Sequence, residues 1–173
     1  MKYFLDTEFI EKPNTIQLIS IGIKCEDGRR YYAVSSEYDW RDADDWVMDN
    51  VIVPAYIDLV HGDTRNVWNA RNFHTHFGKR IWHIKDEILE FVKFPKYPNG
   101  KPEFWGYYAD YDWVVFCWIF GRMIDLPDGF PMYCRDLKQL LDETGKEKIP
   151  SPEGEHNALV DAEWNEKLYC SLT

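Results

Sequence analysis

The sequence predicts an α/β fold, a mixed β-sheet flanked by helices. Two observations carry this. Strand-like segments come first, over residues 3–36, and helical periodicity then alternates with short strands. A chain of 173 residues is large enough for one substantial core and small for two, so residues 1–173 are expected to form one domain.

The elements follow in order. Tyr3-Phe4-Leu5 opens a strand that ends in Asp6 and Glu8, whose side chains share a face because a strand alternates with period two. Residues 15–24 (TIQLISIGIK) and 29–36 (RRYYAVSS) are rich in β-branched and aromatic residues. The Asp27-Gly28 turn signal between them predicts a hairpin, and with the opening strand a three-stranded meander. After Asp39 the texture turns helical, first over 43–53, then over 74–92. In the second helix Phe77, Ile81, Ile84, Ile88 and Phe91 keep the spacing of one helix face. The polar stretch 61–73 reads as a loop between them.

Pro95, Pro98, Gly100 and Pro102 break the second helix and lead to a strand over 103–108. A buried helix from Asp112 stops near Gly121. A brief strand at 132–134, a helix over 136–143, a loop over 146–155 and a last helix over 158–172 complete the chain.

Composition excludes several classes. The formal net charge of -10 argues against a non-specific duplex binder, though not against an enzyme that meets phosphates with metal ions. No run approaches the roughly 18 apolar residues of a membrane span, and acids stand where a signal peptide would be apolar, so a cytoplasmic protein is expected. Cys25, Cys117, Cys134 and Cys170 form no CxxC pair and read as reduced, structural thiols rather than a zinc or redox site.

Two acids at the end of an apolar strand are costly unless a cation sits between them. Asp112, at a strand-to-helix junction, and Asp161, among the apolar residues of the last helix, can complete an all-oxygen set. Such ligands suit Mg2+ or Mn2+, and two ions about 4 Å apart can activate a water and stabilise the leaving oxygen of a phosphodiester. His156 precedes Asp161 by five residues, too far round to share its helix face. It is therefore expected in the loop at the helix entrance, free to act as general base. Each residue alone has an ordinary reading: Asp6-x-Glu8 as a turn, Asp112 as a helix cap, His156 as a solvated imidazole. Their conjunction, in this order, is what points to chemistry.

The strings LDTEF (5–9), YYADYDW (107–113) and HNALVDA (156–162) resemble the three motifs of the DEDDh superfamily, RNase H-like 3′-5′ exonucleases that include RNase T, oligoribonuclease and proofreading exonucleases. The opening FLDTEFIE with IQLISIGI and DGRRYYAVS is most similar to a compact bacterial and phage group of 3′-5′ exoribonucleases first recognised in mycobacteria. The resemblance implies an RNase H-like fold and two Mg2+ or Mn2+ ions held by Asp6, Glu8, Asp112 and Asp161. It also implies His156 and Glu8 in catalysis, a homodimer, and release of nucleoside 5′-monophosphates from single-stranded RNA 3′ ends or overhangs. It favours Asp112 over Asp110, because the ligand follows an aromatic and precedes the helix. Where many relatives have Asn, this chain has Tyr108, which puts the substrate contact of that Asn in question. A DNA exonuclease of the same superfamily is the alternative, and a catalytically silent nucleic-acid-binding domain a weaker one.

A single-stranded 3′ end is expected to stack on aromatic faces. Phe9 leads, followed by Trp105, Tyr107 and Tyr108, with the backbone of Thr7 and Phe9 meeting the terminal nucleotide. Arg65, Arg71, Lys79 and Arg80 are the local concentration of positive charge that could guide phosphates.

Overall fold

A computed structural model describes residues 1–59 and 78–173. The predicted loop 61–73, with Arg65 and Arg71, and the predicted helix start at 74–77, with Phe77, lie outside the described residues.

The chain folds as a mixed α/β structure on a five-stranded sheet, consistent with an RNase H-like fold. Strands β1 (Lys2–Lys12), β2 (Thr15–Cys25) and β3 (Arg30–Val34) form the predicted antiparallel meander. β4 (Glu103–Gly106) joins β1 in parallel and β5 (Arg135–Asp136) joins β4 in parallel, giving the order β3-β2-β1-β4-β5.

β1 is longer than its opening apolar run suggests. The register slips between Glu8 and Phe9, leaving Ile19 of β2 without a partner, and pairing then resumes to Lys12. The two acids therefore lie in mid-strand, at a β-bulge that re-aims the side chains beside it. Because β4 pairs only with Lys2, Tyr3 and Phe4, the edge of β1 beyond Leu5 is open to whatever follows β4.

The helical segment predicted over 43–53 is less regular and runs further. A 3-10 turn (Trp40–Asp42) precedes α1 (Asp45–Val47), a π turn spans Met48–Ile52, and α2 (Val53–Leu59) follows. Pro54 has no N–H to give and its ring crowds the preceding turn, which is where the widened turn sits. α3 (Ile81–Phe91) starts later than the periodicity indicates, because Lys79 first pairs with the end of β3. Its N–H donates to Val34 O at 2.7 Å, and its carbonyl accepts from Ser36 at 2.9 Å. α4 (Asp110–Phe120) stops at Gly121, whose φ of 123° suits only glycine. The strand expected at 132–134 is displaced to Arg135–Asp136, where β4 supplies the partner, and Met132 and Tyr133 are exposed instead. α5 (Leu137–Thr144) and α6 (Ala158–Leu172) lie where expected.

The strand alternation divides the core. Tyr3 and Leu5 face a layer with Ile84, Ile88 of α3 and Trp113, Phe116, Phe120 of α4. Phe4 faces Leu137 and Leu141 of α5 and Trp164, Leu168 and Leu172 of α6. Ile10 and Ile19 meet Val51 and Ile52 of the π turn. Asp6 and Glu8 thus fall on the α6 face, between two apolar clusters. None of the helices is long and apolar enough to cross a membrane, among the described residues.

Candidate active site

The acids of β1 are met from above by α6. Gly22 pairs with Asp6 and Ser20 with Glu8 across the β1–β2 ladder, so β2 offers no bulk beside them. The first turn of α6 settles into that space. A Cβ placed on Gly22 would lie 2.1 Å from Ala158 O and 2.4 Å from Leu159 N, so only glycine permits this approach. One turn beyond Asp161, buried Asn165 donates from Nδ2 to Leu5 O at 3.0 Å and pins α6 beside Asp6. Carboxylate oxygens of Asp6, Glu8 and Asp161 consequently lie within 4.8 Å of one another.

Asp112 arrives from the opposite layer, round the open edge of β1. Tyr108 turns the chain at a φ of 55°, an uncommon value for a bulky residue, and α4 begins two residues later. Asp136 ties this turn to the next element, accepting from Ala109 N at 2.9 Å and capping α5 through Gln139 N at 3.0 Å. Buried Asp112 then accepts from the Thr7 N–H at 2.7 Å and the Thr7 hydroxyl at 2.6 Å, both on Oδ1. It is not one of the three acids that converge within 4.8 Å, but it is close enough to push the Asp6 carboxyl upward. Asp110, two residues earlier on α4, is exposed.

The electrostatics are those of a negative cluster partly withdrawn from water, Asp112 buried and Asp6, Glu8 and Asp161 half-buried. Burial, then Asp112, Glu8 and Asp161, hold the Asp6 carboxyl well above the usual carboxylate range. Burial, then Asp161 and Asp112, push Glu8 up to about 8. Burial takes Asp112 up to about 6 against the lowering hydrogen bonds of Thr7. Burial also raises Asp161, against the His156 N–H that donates to its Oδ2 at 2.9 Å. Among the described residues no Lys or Arg forms an ion pair with any of the four. An all-carboxylate set that lacks a side-chain cation suits a hard divalent ion.

His156 stands at the entrance to α6, exposed and at a φ of 70°, with Asn157 capping the helix through Leu159 N and Val160 N. Aromatics adjoin the acids along the chain. Phe9 is half-buried and meets exposed Tyr111 edge-on at 6.1 Å, and Tyr108 is 63% exposed.

Four expectations about substrate contacts change. Trp105 is 8% exposed, its indole donating to Glu103 at 2.7 Å and packed edge-on against Tyr169, so it belongs to the core and offers no face to a base. Thr7 gives its N–H and hydroxyl to Asp112 and cannot also give that N–H to a nucleotide. Tyr107 is half-buried, between Tyr108, Trp164 and the Lys148 ammonium. Lys79 is held by Glu87 at 2.7 Å and is not a free phosphate guide, whereas Arg80 is exposed.

Sequence reasoning missed Gly22, Asn165 and Asp136. An isolated glycine inside a strand pattern is itself the sign of a close backbone approach, and Gly22 carried that sign. Nothing local distinguishes Asn165 or Asp136 from ordinary helix and cap residues.

The family model for the 3'-5' exoribonuclease Rv2179c-like domain matches residues 1–172. Two proteins of Mycobacterium tuberculosis are similar to the chain: 3'-5' exoribonuclease MT2234.1 of strain CDC 1551 / Oshkosh and 3'-5' exoribonuclease Rv2179c of strain ATCC 25618 / H37Rv. Each is 37% identical over 163 residues, covering 94% of this chain and 87% of the relative.

Proposed function

The chain belongs to the Rv2179c-like 3′-5′ exoribonuclease domain family, and from that premise we propose that it hydrolyses RNA one nucleotide at a time from single-stranded 3′ ends or overhangs, releasing nucleoside 5′-monophosphates. The observation that carries this reading is the convergence of Asp6, Glu8 and Asp161, with Asp112 beside them, in a place where burial makes each costly without a cation. Asp6, Glu8, Asp112 and Asp161 are the residues that would hold two Mg2+ or Mn2+ ions, and residues 1–173 act as one exonuclease domain. Bound there, the ions supply positive charge to the attacked phosphate and to the oxygen that leaves it.

This chain's own residues supply the rest. Glu8 and Asp161 orient the attacking water, and His156, held in the loop above them, takes its proton as water adds to phosphorus and the bond to the upstream O3′ breaks. Asp112 rather than Asp110 completes the ligand set. Its support is its burial and the two hydrogen bonds from Thr7, while Asp110 points to solvent. Phe9, Tyr108 and Tyr111 form the rim on which the terminal base stacks, and a contact to the 2′-OH selects RNA. A homodimer is part of the same reading, supported by exposed apolar Val114 and Trp118 on α4. Sedimentation equilibrium should return about twice the 20.7 kDa chain mass, and a monomer would remove that part.

A 5′-labelled single-stranded RNA and its DNA counterpart, each with Mg2+ or Mn2+, test the function. The expected result is a ladder shortening from the RNA 3′ end, with DNA degraded more slowly. Equal or faster loss of the DNA would favour a DNA exonuclease. Binding with no shortening of either would leave a nucleic-acid-binding domain.

A further inference from the structure

Exposed on a loop, His156 is not fixed by its backbone alone. Gly154 at a φ of 87° and His156 at 70° both lie in the left-handed region, and residues 153–156 are exposed. The loop is tied down on either side. Upstream, the Lys148 ammonium lies 5.0 Å above the Tyr107 and Trp164 rings and the Trp164 indole donates to Pro150 O at 2.7 Å. Downstream, the His156 N–H holds Asp161. These anchors set where the Cα of His156 sits and leave the direction of its ring to side-chain contacts.

Such a contact comes from far away in sequence. The indole of Trp46 meets the imidazole edge-on, with ring centroids 4.8 Å apart and planes at 84°. Trp46 has a firm footing. It lies in α1, which Asp44 caps by accepting from Val47 N at 2.8 Å, and Asn50 donates to Trp46 O at 2.9 Å. The turn that follows buries Val51 and Ile52 against Ile10 and Ile19, on the same two strands that carry Asp6, Glu8 and Gly22. The strand that carries Asp6 and Glu8 therefore also seats the turn that follows Trp46, whose exposed indole stands against the imidazole.

We propose that Trp46 is a positioning residue for His156: it seats the imidazole at the mouth of the carboxylate cluster, so that the general base faces the attacking water without a search over ring directions. The inference rests on the exoribonuclease reading above. It asks of Trp46 an aromatic ring against the imidazole and no contact with RNA.

Kinetics of Trp46→Ala, Trp46→Phe, His156→Ala and the Trp46→Ala/His156→Ala double variant on single-stranded RNA in Mn2+ test it. Trp46→Ala should lower kcat about 5- to 10-fold with KM little changed, Trp46→Phe should restore most of the rate, and the double variant should be no slower than His156→Ala. A Trp46→Ala change that raises KM, or that slows the His156→Ala enzyme by the same factor again, overturns the proposal in favour of a direct substrate contact. Proton NMR gives a readout besides activity. Among the five histidines, the ring protons assigned to His156 by their loss in His156→Ala should be shifted by the indole ring current and should move in Trp46→Ala. No movement overturns the proposal even if the enzyme reading stands. Failure of the wild type to shorten RNA fails that reading and not the NMR contact.

Discussion

Thr7 places both of its donors on one oxygen of Asp112, and this joins the strand that carries two acids to the helix that carries another. Thr7→Val keeps the shape and the N–H and removes the hydroxyl bond. Loss of one such supporting bond should cost about 10- to 100-fold in activity at limiting Mn2+, with partial recovery at saturation, and Thr7→Ser should retain most of it. Initial rates across a Mn2+ titration check this, and equal rates for Thr7→Val and wild type at every concentration would remove Thr7 from the account. The acids themselves were legible in the sequence. Period two put Asp6 and Glu8 on one face, and the family resemblance favoured Asp112 over Asp110 because the ligand follows an aromatic and precedes the helix. The roles of Thr7 and Trp105 were not legible, because a strand pattern shows that there are two faces but not which layer covers each. Phe4 and Trp105 share one buried cluster, and that pairing follows from the sheet order, not from neighbours in sequence.

Among the elements, α6 matters most, since it brings Asp161 to the strand acids through the gap at Gly22. In Gly22→Ala the new methyl would fall onto the backbone of the first turn of α6, and backbone cannot move aside as a flexible side chain can. The expected outcome is a loss of about 3 kcal/mol or more, read as a lower midpoint in urea, and a collapse of activity per folded molecule as Asp161 is displaced. Wild-type stability with full activity would show that α6 is placed by something else. Asn165→Ala, which leaves the Leu5 carbonyl without its donor, should cost about 1–3 kcal/mol in the same assay. Elements were readable where periodicity or caps dominate. α6 runs from Ala158 to Leu172 as its pattern indicates, after an Asn157 cap. They were misread where a partner decides the outcome. β5 forms at Arg135–Asp136 because β4 ends there, α3 is delayed by the pairing of Lys79 with β3, and Pro54 widens the turn before it.

For the molecule as a whole, the acid cluster makes stability depend on both pH and metal. Glu8, pushed up to about 8, binds a proton in the folded state that the unfolded chain releases near its ordinary value, and Asp6, Asp112 and Asp161 are shifted the same way. The folded metal-free protein thus binds more protons than the unfolded chain between about pH 4 and about pH 8, so this contribution to stability is present at low pH and is lost as pH rises through that window. Glu8→Gln should flatten the fall in Tm between about pH 6 and about pH 8 in EDTA, and an unchanged slope would show that Glu8 does not titrate there. Divalent ions bind the deprotonated acids, so by mass action Mn2+ should raise Tm more at about pH 8 than at about pH 6. An equal rise at both would place the ion elsewhere. The α/β class and the motif order were readable at this scale from the alternation of strands and helices. The close contact of the α6 backbone with β2 was not, since it depends on two elements 136 positions apart, Gly22 and Ala158. The proposed function has Asp6, Glu8, Asp112 and Asp161, and not exposed Asp110, drive metal-dependent hydrolysis at an RNA 3′ end. Its most direct test is the rate of 5′-monophosphate release from a single-stranded RNA in Mn2+ by wild type, Asp6→Asn and Asp110→Asn, each checked for folding by circular dichroism. The expected result is a loss of about 10³-fold or more for Asp6→Asn and a rate within about twofold of wild type for Asp110→Asn. Release by Asp6→Asn near the wild-type rate, or none by Asp110→Asn, would contradict it.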